Sequence, residues 1–162
     1  MKRTELILSG MSIAVFALYL LGGVGMSLFM MLVLSLLSVL YGYFGFAHLN
    51  GIRAVGLFKK ESYKETRLTD IILAIIGGAG IALIINSMLF AIMLWHGSAL
   101  FFIYGFCLLT LALLVTGLMK KIRPTLKMRL VQRGVVFLVL GVVFYLLPTH
   151  TWFSIRYRSQ PE

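Results

Sequence analysis

The chain has 162 residues, of which 60% are hydrophobic and 12% charged, so it lacks the polar side chains needed to cover a water-soluble globule of this length. The formal net charge is +10, from 15 Lys and Arg against 5 Asp and Glu. Because these basic residues fall between apolar runs, the expected contacts are the lipid bilayer and its anionic phospholipids rather than nucleic acid. A single cysteine, Cys107, excludes an intrachain disulfide.

Three stretches contain no Asp, Glu, Lys or Arg: Leu6 to Ile52, Ile71 to Met119 and Gly134 to Ile155. One span takes about 20 apolar residues to cross roughly 30 Å of hydrocarbon. The first stretch holds 47 residues and the second 49, so each accommodates two helices and a turn. Gly22-Gly23-Val24-Gly25 breaks the first, and Trp95-His96-Gly97-Ser98 breaks the second. The expected spans are 5–22, 26–47, 70–94, 98–119 and 129–147, the last stopped by Pro148. The fold class is therefore an all-α polytopic membrane bundle of about five spans, two hairpins plus one, forming a single transmembrane domain over 1–162. Arg129 and Arg133 fall in the first turn of span five, where long side chains can snorkel to the interface. The two hairpins have similar lengths and orientation, a weak sign of duplication.

In chain order, Lys2 and Arg3 precede span one. That pattern also opens a signal peptide, but no small-residue cleavage site with a polar start after it appears. The basic loops 53–69 and 120–128 follow spans two and four. Alternation puts all of these on one side, with 13 of the 15 basic residues, counting Arg129 and Arg133. By the positive-inside rule that side is cytoplasmic. The N-terminus is then inside, and the tail 148–162 lies outside a bacterial inner membrane. Trp95, Trp152, Phe153 and Tyr157 are placed to form an outer aromatic belt.

Residues for chemistry are sparse. No acid or base is expected deep within the first four spans, which argues against an ion-coupled carrier acting alone. In span three, Ala74, Gly78, Ala82 and Asn86 recur every four residues on one helix face. Small residues there permit close helix packing, with an amide to bond across the contact. Asn86 and Ser87 are otherwise candidates for a substrate path. Ser38 and Gly42 form a second small pair, which Gly45 extends only loosely. Gly77-Gly78-Ala79-Gly80 lies within an apolar helix and reads as packing rather than a phosphate loop.

His48 falls at the inner end of span two, and His96 and His150 on the outer side. The outer pair comes from different turns with no acidic neighbour, so interfacial histidines are expected rather than haem or metal ligands. Residues 53–70 suit either an interfacial helix or a solvated loop. Lys59, Lys60, Lys64, Lys120, Lys121 and Arg123 are the candidate contacts for anionic lipid, or serve topology alone. No nucleophile elbow, zinc motif or dinucleotide fingerprint is present, so neither an enzyme nor a cofactor is expected.

Two resemblances add to this. Tyr41-Gly42-Tyr43-Phe44-Gly45-Phe46, Asn50-Gly51-Ile52-Arg53 and Phe58-Lys59-Lys60-Glu61-Ser62-Tyr63-Lys64 form one set of residues. With Arg156-Tyr157-Arg158 and Pro161-Glu162, they resemble small multi-spanning membrane proteins of Bacteroidota over most of the chain. That resemblance implies a membrane bundle and carries no activity. Leu89-Phe90, Trp95, Gly97 and Gly105 resemble one hairpin of the membrane motor subunit of gliding motility and type IX secretion. That motif has a lysine after the phenylalanine and a proline between the tryptophan and glycine, where this chain has Ala91 and His96. Its membrane-embedded glutamate has no counterpart in span four. The resemblance implies a hairpin geometry and no motor role.

Three functional readings follow. The first is a non-enzymatic structural or accessory subunit of a membrane assembly, with a membrane-protein partner or a second copy. The second is a small transporter or lipid-handling protein with a path near Asn86. The third, an enzyme acting on lipid through His96 or His150, lacks an acid or nucleophile beside either histidine.

Overall fold

The computed structural model of the chain describes residues 2–21, 25–52, 66–119 and 121–156. They form an all-α bundle in the order α1 (Lys2–Leu20), α2 (Met26–Asn50), α3 (Leu68–Ile92), α4 (Ser98–Leu118), α5 (Pro124–Leu146) and α6 (Thr149–Arg156). The first five are long and apolar enough to cross a membrane, which makes the chain a multi-pass membrane protein by length and composition. Successive helices run antiparallel, so the N-termini of α1, α3 and α5 share one end with the C-termini of α2 and α4. We call this the basic end and the opposite one the aromatic end.

Helix limits depart from the apolar runs where a local signal overrides hydropathy. Helix α5 starts at Pro124, five residues before the expected span. Proline suits the first helical position, because its fixed φ is already helical and the amide it lacks would have no partner there. Helix α2 continues to Asn50, where Gly51 at φ 80 ends it. The amide of Ile52 then bonds the Ala47 carbonyl at 2.8 Å. That extra turn carries His48 and Asn50 into the packed interior.

Helix α3 is the hub. Its small residues face three neighbours at once. A Cβ on Gly78 would lie 2.6 Å from the Tyr41 carbonyl oxygen of α2, and one on Gly80 would lie 2.8 Å from the Leu109 backbone nitrogen of α4. One on Gly77 would meet the Leu130 Cδ1 of α5 at 2.5 Å. The facing helices are thinned in step. Gly45 packs on Gly78, and Gly105 sits against Ile84 and Gly80. In lipid, where helices gain little from hiding apolar surface, such close backbone approach is what holds them together. Ile81, Ile84, Ile85 and Ile92 are fully buried around this contact.

The outward surface is apolar. On α4, Leu100, Ile103, Tyr104, Leu111, Leu114 and Leu118 all face away from the bundle. A contiguous patch of this kind suits hydrocarbon and not water. Helix α6 folds back after Pro148 and buries Trp152 at 2% exposure. The indole stacks on Phe144 at 4.9 Å and tilts against Phe16. Trp152 is therefore a packing residue and not part of an outward belt, whereas Trp95 stays half-exposed beside Phe90. Tyr157 and the Phe153 side chain lie outside the described residues.

Candidate functional site

Near the basic end, three helices converge on one carboxylate. Glu5 lies in the first turn of α1. Tyr41 and His48 lie seven residues apart on α2, two helical turns and hence one face. Arg133 comes from α5. The Tyr41 hydroxyl and the Arg133 Nε both donate to Glu5 Oε1. Arg133 Nη2 donates to Oε2 at 2.6 Å, and His48 Nε2 lies 2.9 Å from the same oxygen. An ionised carboxylate only accepts, so His48 carries its proton on Nε2 here. The pair with Arg133 is two-pronged, the geometry in which a guanidinium binds carboxylate most tightly.

The cluster is largely shielded. The His48 side chain is 1% exposed, Glu5 15% and Arg133 17%, so the charges are screened less than a surface pair would be. Tyr41 is packed edge-on against the His48 and Phe137 rings. Arg129, one turn before Arg133, bonds the His48 carbonyl at 3.4 Å and presses its guanidinium on Gly51. Arg133 is turned onto Glu5, whereas Arg129 stays partly exposed against the last turn of α2.

A groove of about 490 Å³ opens beside the cluster between α1, α2 and α5. Glu5 and Arg133 lie along it, and Ile13, Phe16, Leu34 and Leu140 make its walls apolar. A second polar feature lies at the same end. Asp70, in the first turn of α3, is fully buried, and neither carboxylate oxygen has a hydrogen-bond partner. Asn50 donates to the Phe46 carbonyl at 2.7 Å and to the Asp70 carbonyl at 3.4 Å, while its own Oδ1 is unpartnered.

The small-residue face of α3 meets α2. A Cβ on Gly42 would lie 3.5 Å from Ala82 Cβ, and one on Gly45 would lie 3.6 Å from the Ala74 carbonyl. Ser38 donates to the Ala82 carbonyl at 3.3 Å. The two small stripes therefore cover each other within one chain, Gly45 included, and Ala74, Gly78 and Ala82 are spent on that contact. Asn86 is half-buried and lines neither the groove nor the cavity at the aromatic end.

Of the basic residues expected at lipid, Lys59, Lys60, Lys64 and Lys120 lie outside the described residues. Lys121 is exposed, and its carbonyl accepts from Arg67 at 2.9 Å. Arg123 reaches Thr66 at 3.2 Å, tying the start of α5 to the start of α3. Among the described residues, no group of three or more His, Cys, Asp or Glu is placed to hold a metal.

Sequence reasoning placed His48 at the inner end of span two and gave Glu5 no role. The available signals were the seven-residue spacing of Tyr41 and His48, the four-residue spacing of Arg129 and Arg133, and an acid in the first turn of an apolar helix. Comparison of the chain with protein-family models, with curated proteins and with solved structures gives no match.

Proposed function

We propose that this chain is a non-enzymatic structural or accessory subunit of a bacterial inner-membrane assembly, with its N-terminus cytoplasmic and its C-terminus outside. The observation that carries the reading is the closure of the Glu5 cluster. A carboxylate offers about four acceptor positions. Tyr41, His48 and the two prongs of Arg133 take all of them. Such a carboxylate has nothing left with which to take a proton from a substrate or ligate an ion. What it does is clamp α1 onto α2 and α5. A fully connected polar network of this kind holds one arrangement of helices against alternatives.

The inner-membrane placement and orientation rest on the basic loops gathered at one end. The bacterial source rests on the resemblance to small Bacteroidota proteins. Because the small-residue stripes are used internally, a partner or second copy would meet the outward apolar face, to which α2, α4 and α5 all contribute. Affinity purification of the full chain from native membranes in mild detergent is expected to bring down a defined partner or an oligomer. Persistent recovery as a lone monomer would overturn the proposal.

A second reading, handling of a lipid or another small substrate, draws on the groove beside Glu5 and Arg133 rather than on Asn86. Under it, filling the groove with Ile13→Trp lowers transport in reconstituted vesicles several-fold. Undiminished transport in that variant would remove the reading.

A further inference from the structure

Helices α1 and α5 are bridged at two levels, with the groove between. Toward the basic end Arg133 bonds Glu5, and toward the aromatic end Phe16 meets Phe144 with ring centroids 5.6 Å apart. The volume of about 490 Å³ is the slot left between these bridges. Leu34 and Leu37 of α2 floor it, with Met88 of α3 at the far end. Its rims, Ile13 on α1 and Val136 on α5, are 72% and 55% exposed, so the slot opens sideways toward the lipid.

Three features select an occupant. The first is length. From Gln132 to Phe144, both of which line the slot, α5 rises about 18 Å. That is close to half of a roughly 30 Å hydrocarbon core, the reach of a single acyl chain. A partner helix, about 10 Å across, does not fit between two helices bridged at both ends. The second is polarity along the slot. Ser9 and Gln132, within one turn of the Glu5 clamp, line it and make no hydrogen bond among the described residues. Polar side chains in a spanning helix are costly without a partner. Ser12 spends its hydroxyl on the Leu8 carbonyl at 2.8 Å, so the surface beyond is apolar. Hydrogen bonds at one end and hydrocarbon along the rest suit an ester-linked chain. The third is charge. Glu5 neutralises Arg133, but Arg129, one turn nearer the basic end on α5, makes no ion pair among the described residues. This uncompensated cation stands where a headgroup would emerge, and basic sites between spanning helices favour anionic headgroups.

We infer that the slot takes one acyl chain of an anionic phospholipid from the leaflet at the basic end. Its ester group lies at Ser9 and Gln132, its phosphate beside Arg129, and its methyl end against Phe16 and Phe144. This rests on the second functional reading, entry of a lipid into the groove, and names the lipid.

Trp152 reports on the far end of the slot. It is 2% exposed, stacks on Phe144 at 4.9 Å and tilts against Phe16. With Trp95→Phe it is the one tryptophan left in the chain. The full chain is reconstituted in phosphatidylcholine vesicles holding increasing fractions of phosphatidylglycerol, or of phosphatidylcholine, brominated near the ends of the chains. Brominated phosphatidylglycerol is expected to quench Trp152 saturably. Its half-maximal mole fraction should be about fivefold lower than that of brominated phosphatidylcholine, the preference that one uncompensated cation gives an anionic lipid. Arg129→Gln should remove that preference. Val136→Phe, at an exposed position, should remove most of the quenching by both lipids. Equal curves for the two lipids, with quenching still lost in Val136→Phe, would overturn the anionic assignment and leave a lipid-binding groove standing. A preference that persists in folded Arg129→Gln would overturn the phosphate placement. Quenching that survives Val136→Phe unchanged would overturn the inference and the second reading together, because no chain would then lie in the slot. The comparison of the two lipids needs no change in the slot, so it decides the matter even where Arg129→Gln lowers folding yield.

Discussion

Glutamine in place of Glu5 keeps the shape of the side chain and leaves Arg133 facing an uncharged amide. Removing one partner of a fully buried ion pair costs about 3–5 kcal/mol, because the remaining charge is stranded. Here both side chains keep some exposure, 15% and 17%, so Glu5→Gln is expected to cost somewhat less, on the order of 2 kcal/mol. Combining it with Arg133→Met removes both charges, and apolar replacement of a whole buried pair is often neutral. Unfolding by denaturant in detergent should therefore show the double variant recovering most of the single variant's loss. A double variant as weak as Glu5→Gln would mean that the cluster is not coupled as the geometry implies. Asp70 poses a different case, since its buried oxygens have no partner whose removal could be read in this way.

Among the helices, α3 carries the tolerances of the bundle, and its glycines differ in what they face. Gly78→Val places a Cβ where the Tyr41 carbonyl stands 2.6 Å away, a backbone atom that cannot swing aside. Overpacking of a tight contact costs about 1–3 kcal/mol, and this variant is expected at the upper end of that range. Gly117 on α4 is the control. A Cβ there meets nothing within 4 Å, so Gly117→Ala should hold or slightly raise the thermal midpoint through helix propensity. Equal losses in the two would show that the close approach of α2 and α3 contributes little. By contrast, α1 buries few of its side chains and is held by Tyr19, which bonds the Ile92 carbonyl at 3.5 Å, and by the Glu5 clamp. Loosening of α1 should therefore be the first consequence of losing Glu5, read as faster hydrogen exchange over residues 6–18 than over α3.

For the whole molecule, the proposed orientation predicts which ends reagents can reach. With Cys107 replaced by alanine, a single cysteine at Lys60 should label only after the membrane is opened. One at His96 should label in intact cells. The reverse pattern would invert the topology while leaving the helix packing untouched, because basic loops act on insertion and small residues act on contact. The two layers of the design are separable in the chain itself. Uncharged runs of 47 and 49 residues, each divided by a glycine-containing turn, and a third of 22, all flanked by Lys and Arg, determine that there are five spans and where they turn. They do so because hydropathy is a local property, summed along the chain. Partly legible were the α3 stripe, whose four-residue spacing shows a packing face without showing that Ser38, Gly42 and Gly45 would cover it, and Glu5, a first-turn acid with no visible partner. The convergence of Glu5 with Arg133, 128 residues away, and of His96 with His150 at one cavity, was decided only by tertiary structure. Charge pairing and cavity lining depend on which helices lie side by side, and in a bilayer that choice is made by contacts between backbones that no single segment contains.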